Sequence, residues 1–211
     1  MSWPLIRSNR CAMYDSCNSL VSAEWLAERI SDPAIKVLDA SLHLPAAKRD
    51  PRAEFEQDHI KGAAFLDLAS LMDRDSDVPA ALPTRDQDLE RLASLGITAE
   101  DTIVLYDDSA IRTSARAWFA LTVNGLPRVA VLDGGLARWR ALDLPLESGP
   151  ETPQRATLLQ DGSNAPDRVR TKAAMLANLD SRTDQVVDAR AADRVFGTGE
   201  DPVHGGANGR I

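Results

Sequence analysis

Three short, almost purely apolar runs, each followed by a helix-forming stretch, constrain this chain more than anything else: "IKVLDA" (35–40), "TIVLY" (102–106) and "RVAVLD" (128–133). Strands without polar alternation are buried on both faces, and helices between them impose parallel pairing through crossovers. The expectation is an α/β fold with a mainly parallel sheet and right-handed connections. Helix boundaries are legible too. Ser22 is a good N-cap for "AEWLAERI", which puts Trp25, Leu26 and Ile30 on one face. "DPRAEFEQDH" reads as a short helix leading into "IKGAAFLD". Thr84 and Gln87 form a capping box for "RDQDLERLASLG", which Gly96 ends. Gly125 closes the helix after the "TIVLY" strand, and "GLARWRAL" is a further helix. Trp118, Phe119 and Trp139 fit helix faces packed on the sheet.

The junction after "TIVLY" is where a site is expected. In a parallel α/β fold, a helix N-terminus at the end of a strand offers free N–H groups to an anion. Here the helix opens near Thr113 and Ser114, yet the loop starts with Asp107 and Asp108. Two carboxylates stand where an anionic ligand would be expected, and N-capping is the plain alternative for both.

The 211 residues can hold one full domain and part or all of a second. A formal net charge of -8 argues against nucleic acid or an anionic membrane as partner, and no run approaches the length of a membrane span. Residues 1–19 read as an N-terminal tail without the apolar core of a secretory signal; translation from Met1 or from Met13 both fit. Cys11 and Cys17 lie in that tail. Two cysteines give no disulfide framework and suit a reducing, cytoplasmic setting, and neither has the strand–helix frame or basic surroundings of a nucleophile.

Domain 1 spans residues 20–146. Residues 147–168, with three prolines and little periodicity, read as a linker. The pattern then restarts over 169–211: "VSAEWLAERISDPAIKVLDAS" is matched by "VRTKAAMLANLDSRTDQVVDAR", each a helix, a polar turn and a strand ending in Asp-Ala. Asp39 and Asp188 are equivalent, at a spacing far longer than any solenoid repeat. Ile211 stands at the counterpart of Ile60, so the second copy is expected to be incomplete, stopping before its equivalent of the "GAAFLD" strand. One helix and one or two strands cannot bury a core alone.

"DLE…LGI…DTIVLYDDS…SARAWFAL…RVAVLDGGLARW" resembles the first domain of the two-domain rhodanese-type sulfurtransferases, the thiosulfate and 3-mercaptopyruvate sulfurtransferases. "HIKGAAFLDL" is similar to that family's His-Ile-Pro-Gly-Ala-x-Phe-Phe-Asp motif, and "VVDARAADRVFGTGEDP" to the start of its second domain. The resemblance runs over about residues 20–211. It implies a rhodanese-like three-layer fold, with one complete, non-catalytic domain and the beginning of a second. It also implies a chemistry: a cysteine thiolate takes a sulfane sulfur from a small anionic donor and passes it, as a persulfide, to a thiophilic acceptor such as cyanide. That needs a low-pKa sulfur at the mouth of a loop of inward N–H groups.

By the same resemblance the loop of domain 1 is a relic of duplication, with Asp107 and Asp108 about where a nucleophile would be, and the catalytic cysteine is expected beyond Ile211. Arg116 matches an arginine common in the family's first domain and is expected to pair with Asp107 or Asp108 in the interdomain region. Arg194 matches the substrate-binding arginine of the second domain, a cation for the donor's anionic group. Two positions depart from the mercaptopyruvate branch: Val203 replaces a second arginine, and Ala80 stands near an expected histidine. No metal or organic cofactor is implied. His59 reads as a structural histidine bonded to backbone, and His43 and His204 lack partners implying a metal site. A non-catalytic rhodanese-like binding or regulatory module is the alternative reading of function.

Overall fold

The apolar run 102–106 becomes the middle strand of a five-stranded sheet. The strands of the chain, in order, are β1 (Leu20–Val21), β2 (Ile35–Asp39), β3 (His59–Ile60), β4 (Ala64–Phe65), β5 (Thr102–Tyr106), β6 (Val129–Leu132) and β7 (Leu146–Glu147). The sheet runs β1-β6-β5-β2-β4 and every neighbouring pair in it is parallel. The computed structural model describes residues 19–98, 100–126, 128–151, 168–190 and 192–196, without the side chains of Asp193 and Arg194. The chain divides into two units, Met1–Pro166 and Asp167–Ile211.

In the first unit, α1 (Ala23–Ala27), α2 (Pro51–Gln57), α3 (Arg85–Ser94), α4 (Ser114–Val123) and α5 (Gly135–Ala141) connect the strands. Their starts are set locally. Ser22 caps α1, Asp50 caps α2 ahead of Pro51, and Thr84 with Gln87 closes a reciprocal capping box on α3. Gly96 and Gly125 take φ near +80° just past α3 and α4, where a side chain would be strained.

Side chains alternate across the sheet, giving it a core on each face. Ile103 and Leu105 join Leu38 against Leu89 and Leu92 of α3 and Leu121 of α4. Val104 and Tyr106 join Val37 against Leu26 of α1, Phe55 of α2 and Trp139 of α5. Each fully buried side chain of this size contributes about 1.5–3 kcal/mol. The result is three layers, helix–sheet–helix. Trp139 is buried and Trp118 packs against the core with its Nε1 donating to the Val129 carbonyl at 3.0 Å, but Phe119 is exposed. Helical position alone does not fix burial at the edge of a face.

The chain beyond α5 departs from the expected linker at its start. Glu147 belongs to β7, which pairs antiparallel with β3, and the strap continues along α2. Trp139 Nε1 and the Lys61 N–H both donate to the Pro145 carbonyl, Gly62 N–H to Glu147, and Gly149 N–H to the Glu56 carbonyl. Arg52 reaches Glu151 at 2.7 Å. Residues 152–167 lie outside the described residues.

In the second unit, α6 (Lys172–Ser181) is capped by Thr171, and α7 spans Ala192–Val195. The strand expected before Asp188 is not formed: Val186 and Val187 are exposed and belong to no ladder. Their counterparts in β2 are flanked by β4 and β5. No neighbouring strand is found among the described residues of this unit, so none of these offers a ladder to the backbone of Val186 and Val187. No helix among the described residues is long and apolar enough to cross a membrane.

One buried charge inside the first unit is under-partnered. Asn124, just past α4, donates through Nδ2 to Asp88 Oδ2 at 2.6 Å and to the Pro83 carbonyl at 3.1 Å, while Asp88 Oδ1 is buried with no hydrogen-bond partner. Burial pushes the Asp88 carboxyl up to about 6, against the Asn124 hydrogen bond and the charge of Arg91. The folded state therefore holds this proton to higher pH than the unfolded chain. The resulting cost to stability is absent well below pH 4, grows as pH rises from 4 to 6, and reaches about 3 kcal/mol above that. Asp88→Asn is expected to be more stable than the parent at pH 7.5 by about 1–3 kcal/mol, with the gap narrowing towards pH 4. Urea unfolding followed by tryptophan fluorescence measures it, and a pH-independent gap would show an ordinary carboxyl.

Candidate functional site

The loop from Asp107 to Thr113 leaves β5 at its C-terminal end and opens α4. Several of its polar groups are satisfied within the loop and by the end of β2. Asp107, buried, accepts the Ser109 N–H at 3.1 Å through Oδ1 and the Ser114 N–H at 2.7 Å through Oδ2. The Thr113 N–H goes to Ser109 Oγ, and the Asp108 N–H to Ser41 Oγ at 2.9 Å. Thr113 Oγ1 donates to the Ala40 carbonyl at 2.8 Å and accepts the Leu42 N–H, which ties the loop to the end of β2. Four N–H groups of the junction, those of Asp108, Ser109, Thr113 and Ser114, are taken by Ser41, Asp107 and Ser109.

Asp108 plays a different part. Its carboxylate turns outward to two guanidinium groups that the sequence patterns did not single out. Arg49 Nη2 lies 2.9 Å from Asp108 Oδ2 and its Nη1 donates to the Asp108 carbonyl; Arg140 Nη1 lies 3.5 Å from the same Oδ2. Arg49 also binds Glu54 through both Nε and Nη2, and Arg140 binds Asp58. His43 completes the group, its Nε2 2.9 Å from Glu54 Oε2. These pairs shift their members coherently. Hydrogen bonding to Glu54 and then Asp108 carries the Arg49 guanidinium up. Burial would lower Arg140, but Asp58 and Asp108 raise it. Burial would raise Glu54, but Arg49 and His43 hold it below the usual carboxylate range.

What space remains is small. A cavity of about 10 Å³ is lined by Asp39, Ser41, Glu54, Asp58, Asp108 and Arg140 among others. That is room for one water at most. Asp39 is buried beside it, its Oδ1 accepting the Ser41 N–H at 2.8 Å, and burial raises its pKa against the bonds to Ser41 and Tyr106. Burial and then Asp39 push Tyr106 well above the usual phenol value; its oxygen also accepts the Ile60 N–H. The pocket therefore rejects a further anion on grounds of both size and charge.

His59 is buried, stacks on Phe55 at 3.9 Å and places Nδ1 2.7 Å from the Phe55 carbonyl, with Nε2 3.5 Å from Glu147. Arg116 corrects the expectation made for it. It does not reach Asp107 or Asp108; its Nη2 donates to the Ala80 carbonyl at 2.8 Å, because its place on α4 points it to the loop before α3. Arg194 lies on α7, and its side chain is outside the described residues, as are Cys11, Cys17, Val203 and His204. No group of three or more His, Cys, Asp or Glu among the described residues is arranged to hold a metal ion.

A parallel sheet between helical layers, with a strand–loop–helix junction at the end of its central strand, defines a three-layer α/β domain. Residues 22–142 match the model of the Rhodanese-like domain, and the chain belongs to that family. It is 39% identical over 201 residues to the 3-mercaptopyruvate sulfurtransferase of Rattus norvegicus, covering 92% of this chain and 66% of that enzyme. It is 33% identical over 211 residues to thiosulfate/3-mercaptopyruvate sulfurtransferase 1, mitochondrial, of Arabidopsis thaliana, covering 91% and 56% respectively. The crystal structure of SseA from Escherichia coli superposes with a TM-score of 0.77 at 32% identity, over 89% of this chain and 72% of that one. The chain thus spans about two thirds or less of these curated relatives.

Gly135 is a steric keystone of the site. Gly135 opens α5 at φ +56°, and a Cβ there would sit 2.5 Å from the Asp107 carbonyl, which accepts the Leu136 N–H. Gly135→Ala is expected to cost about 3 kcal/mol, from the left-handed backbone and the overlap together. Gly62→Ala, also at positive φ but with nothing within 4 Å of the added Cβ, should cost only about 1 kcal/mol. Urea unfolding of the two variants checks the difference, and equal losses would mean the contact with Asp107 is unimportant.

Proposed function

We propose that this chain is part of a sulfurtransferase that moves a sulfane sulfur from thiosulfate or 3-mercaptopyruvate to a thiophile such as cyanide, through a cysteine persulfide. The observation that carries this reading is the extent of the similarity: relatives named as sulfurtransferases match over more than nine-tenths of the chain, through both copies of the repeat. The geometry of the first unit supports giving the chemistry to the other copy. A thiolate acceptor needs an inward N–H cradle open to an anionic donor, and in the first unit carboxylates already fill it.

In this reading the thiolate attacks the outer sulfur of thiosulfate, and sulfite leaves with the bonding pair. With 3-mercaptopyruvate it attacks the thiol sulfur, the C–S pair leaves as the pyruvate enolate, and the thiol proton ends on carbon to give pyruvate. The terminal persulfide sulfur then goes to cyanide as thiocyanate, which restores the thiolate. The nucleophile is expected beyond Ile211, and Arg194 is assigned to the donor's anionic group. Val203 and Ala80 leave the choice between the two donors open. A cytoplasmic setting belongs to the same proposal, its support being a cysteine content of two.

The 211-residue polypeptide is expected to form no thiocyanate from thiosulfate and cyanide above the uncatalysed rate. Turnover abolished by Cys11→Ser or Cys17→Ser would sink this assignment of the nucleophile. In a form of the protein that carries the thiolate, Arg194→Ala is expected to raise the donor KM about 10- to 100-fold, the worth of a charge-assisted contact. An unchanged KM for both donors would remove Arg194 from the site. Failure of either donor to support turnover in that form would leave the non-catalytic reading.

A further inference from the structure

The geometry points to a self-occupied oxyanion site in the first unit: the Asp108 carboxylate is the built-in ligand of a two-arginine clamp that binds a small free carboxylate once Asp108 is removed. This inference stands on the first unit alone and does not depend on sulfur transfer.

The clamp comes from two separate elements. Arg49 lies ahead of α2 and Arg140 at the end of α5, and both address one oxygen, Asp108 Oδ2, at 2.9 and 3.5 Å. Each arginine has its own permanent carboxylate, Glu54 for Arg49 and Asp58 for Arg140. Those pairs keep both guanidinium groups in place whether or not Asp108 is present. The third carboxylate is therefore the removable one.

Its backbone also stays put without the side chain. The Asp108 N–H is held by Ser41 Oγ, its carbonyl by Arg49 Nη1, and the residues on either side by the Asp107 and Ser109 bonds. Truncation at Asp108 therefore enlarges a cavity of about 10 Å³ by the volume of one carboxylate, next to guanidinium N–H groups that have lost an acceptor. An isolated pair at this exposure, about a third, is worth little in water. Two converging guanidinium groups, each held by its own carboxylate, are what make the place selective for a planar oxyanion.

Asp108→Ala removes one carboxylate, and formate restores the same three heavy atoms and the same charge. In the whole 211-residue chain, Asp108→Ala is expected to unfold a few degrees below the parent. About 100 mM sodium formate should return about 3 °C of that midpoint beyond sodium chloride at equal ionic strength. The parent, and Asp108→Asn, which fills the same space, should respond to formate and chloride alike. Arg49→Gln added to Asp108→Ala should abolish the formate-specific shift. Equal shifts in formate and chloride for Asp108→Ala, or a formate shift that survives Arg49→Gln, would overturn the proposal. Should Asp108→Ala fail to fold as expressed, refolding yield takes the place of the midpoint: a higher yield in formate supports the clamp, and equal yields in the two salts refute it.

Discussion

The buried carboxylate of Asp107 is the contact on which the first unit turns. It leaves the central strand and takes the N–H groups of Ser109 and Ser114, so the strand and α4 are joined through one side chain without a solvated gap. The backbone of the same residue accepts from Leu136, which brings α5 to within reach of the same point. Three elements are registered on a single residue. The tight approach at Gly135 and the placement of Arg140 both follow from that registration.

A helix start at the end of a parallel strand carries partial positive charge and unpaired donors. Nature can leave these for a substrate or satisfy them internally, and internal satisfaction is worth about 1 kcal/mol per cap. Here Asp107 takes the first N–H of α4, that of Ser114, together with the Ser109 N–H, and Asp108 faces the cations around the mouth. The two adjacent acids look redundant as letters but divide the work: one faces inward to N–H groups, the other outward to guanidinium groups.

Much of this was legible because it is local. The apolar run at 102–106, the capping box of Thr84 and Gln87, and the glycines after α3 and α4 each carry their signal within a few residues. The partners of Asp108 were not legible, because Arg49 and Arg140 meet it only after the chain has folded; nothing in "KRDP" or "RWRAL" marks a shared acceptor. Arg116 failed as a partner for the same reason: proximity along the chain did not outweigh the direction in which α4 points it. The pair β3 and β7 leaves no mark in the sequence, because two residues are too few to show a period. In the second copy, pattern and outcome part: "QVVDA" has the letters of β2 but no ladder among the described residues, which shows how far a strand depends on its neighbours.

The strap from Pro145 to Glu151 has a mechanical consequence. It crosses β3 and α2 through contacts made one after another: Pro145 with Trp139 and Lys61, Glu147 with Gly62, Gly149 with Glu56, Glu151 with Arg52. Tension applied to the chain beyond Glu151 loads these contacts in series from the far end, so they peel singly at low force. The parallel ladders of β2, β5 and β6 lie behind these contacts along the chain and are reached only after the strap has opened. Opening the strap lengthens the following segment by a few residues before any strand of the core is lost.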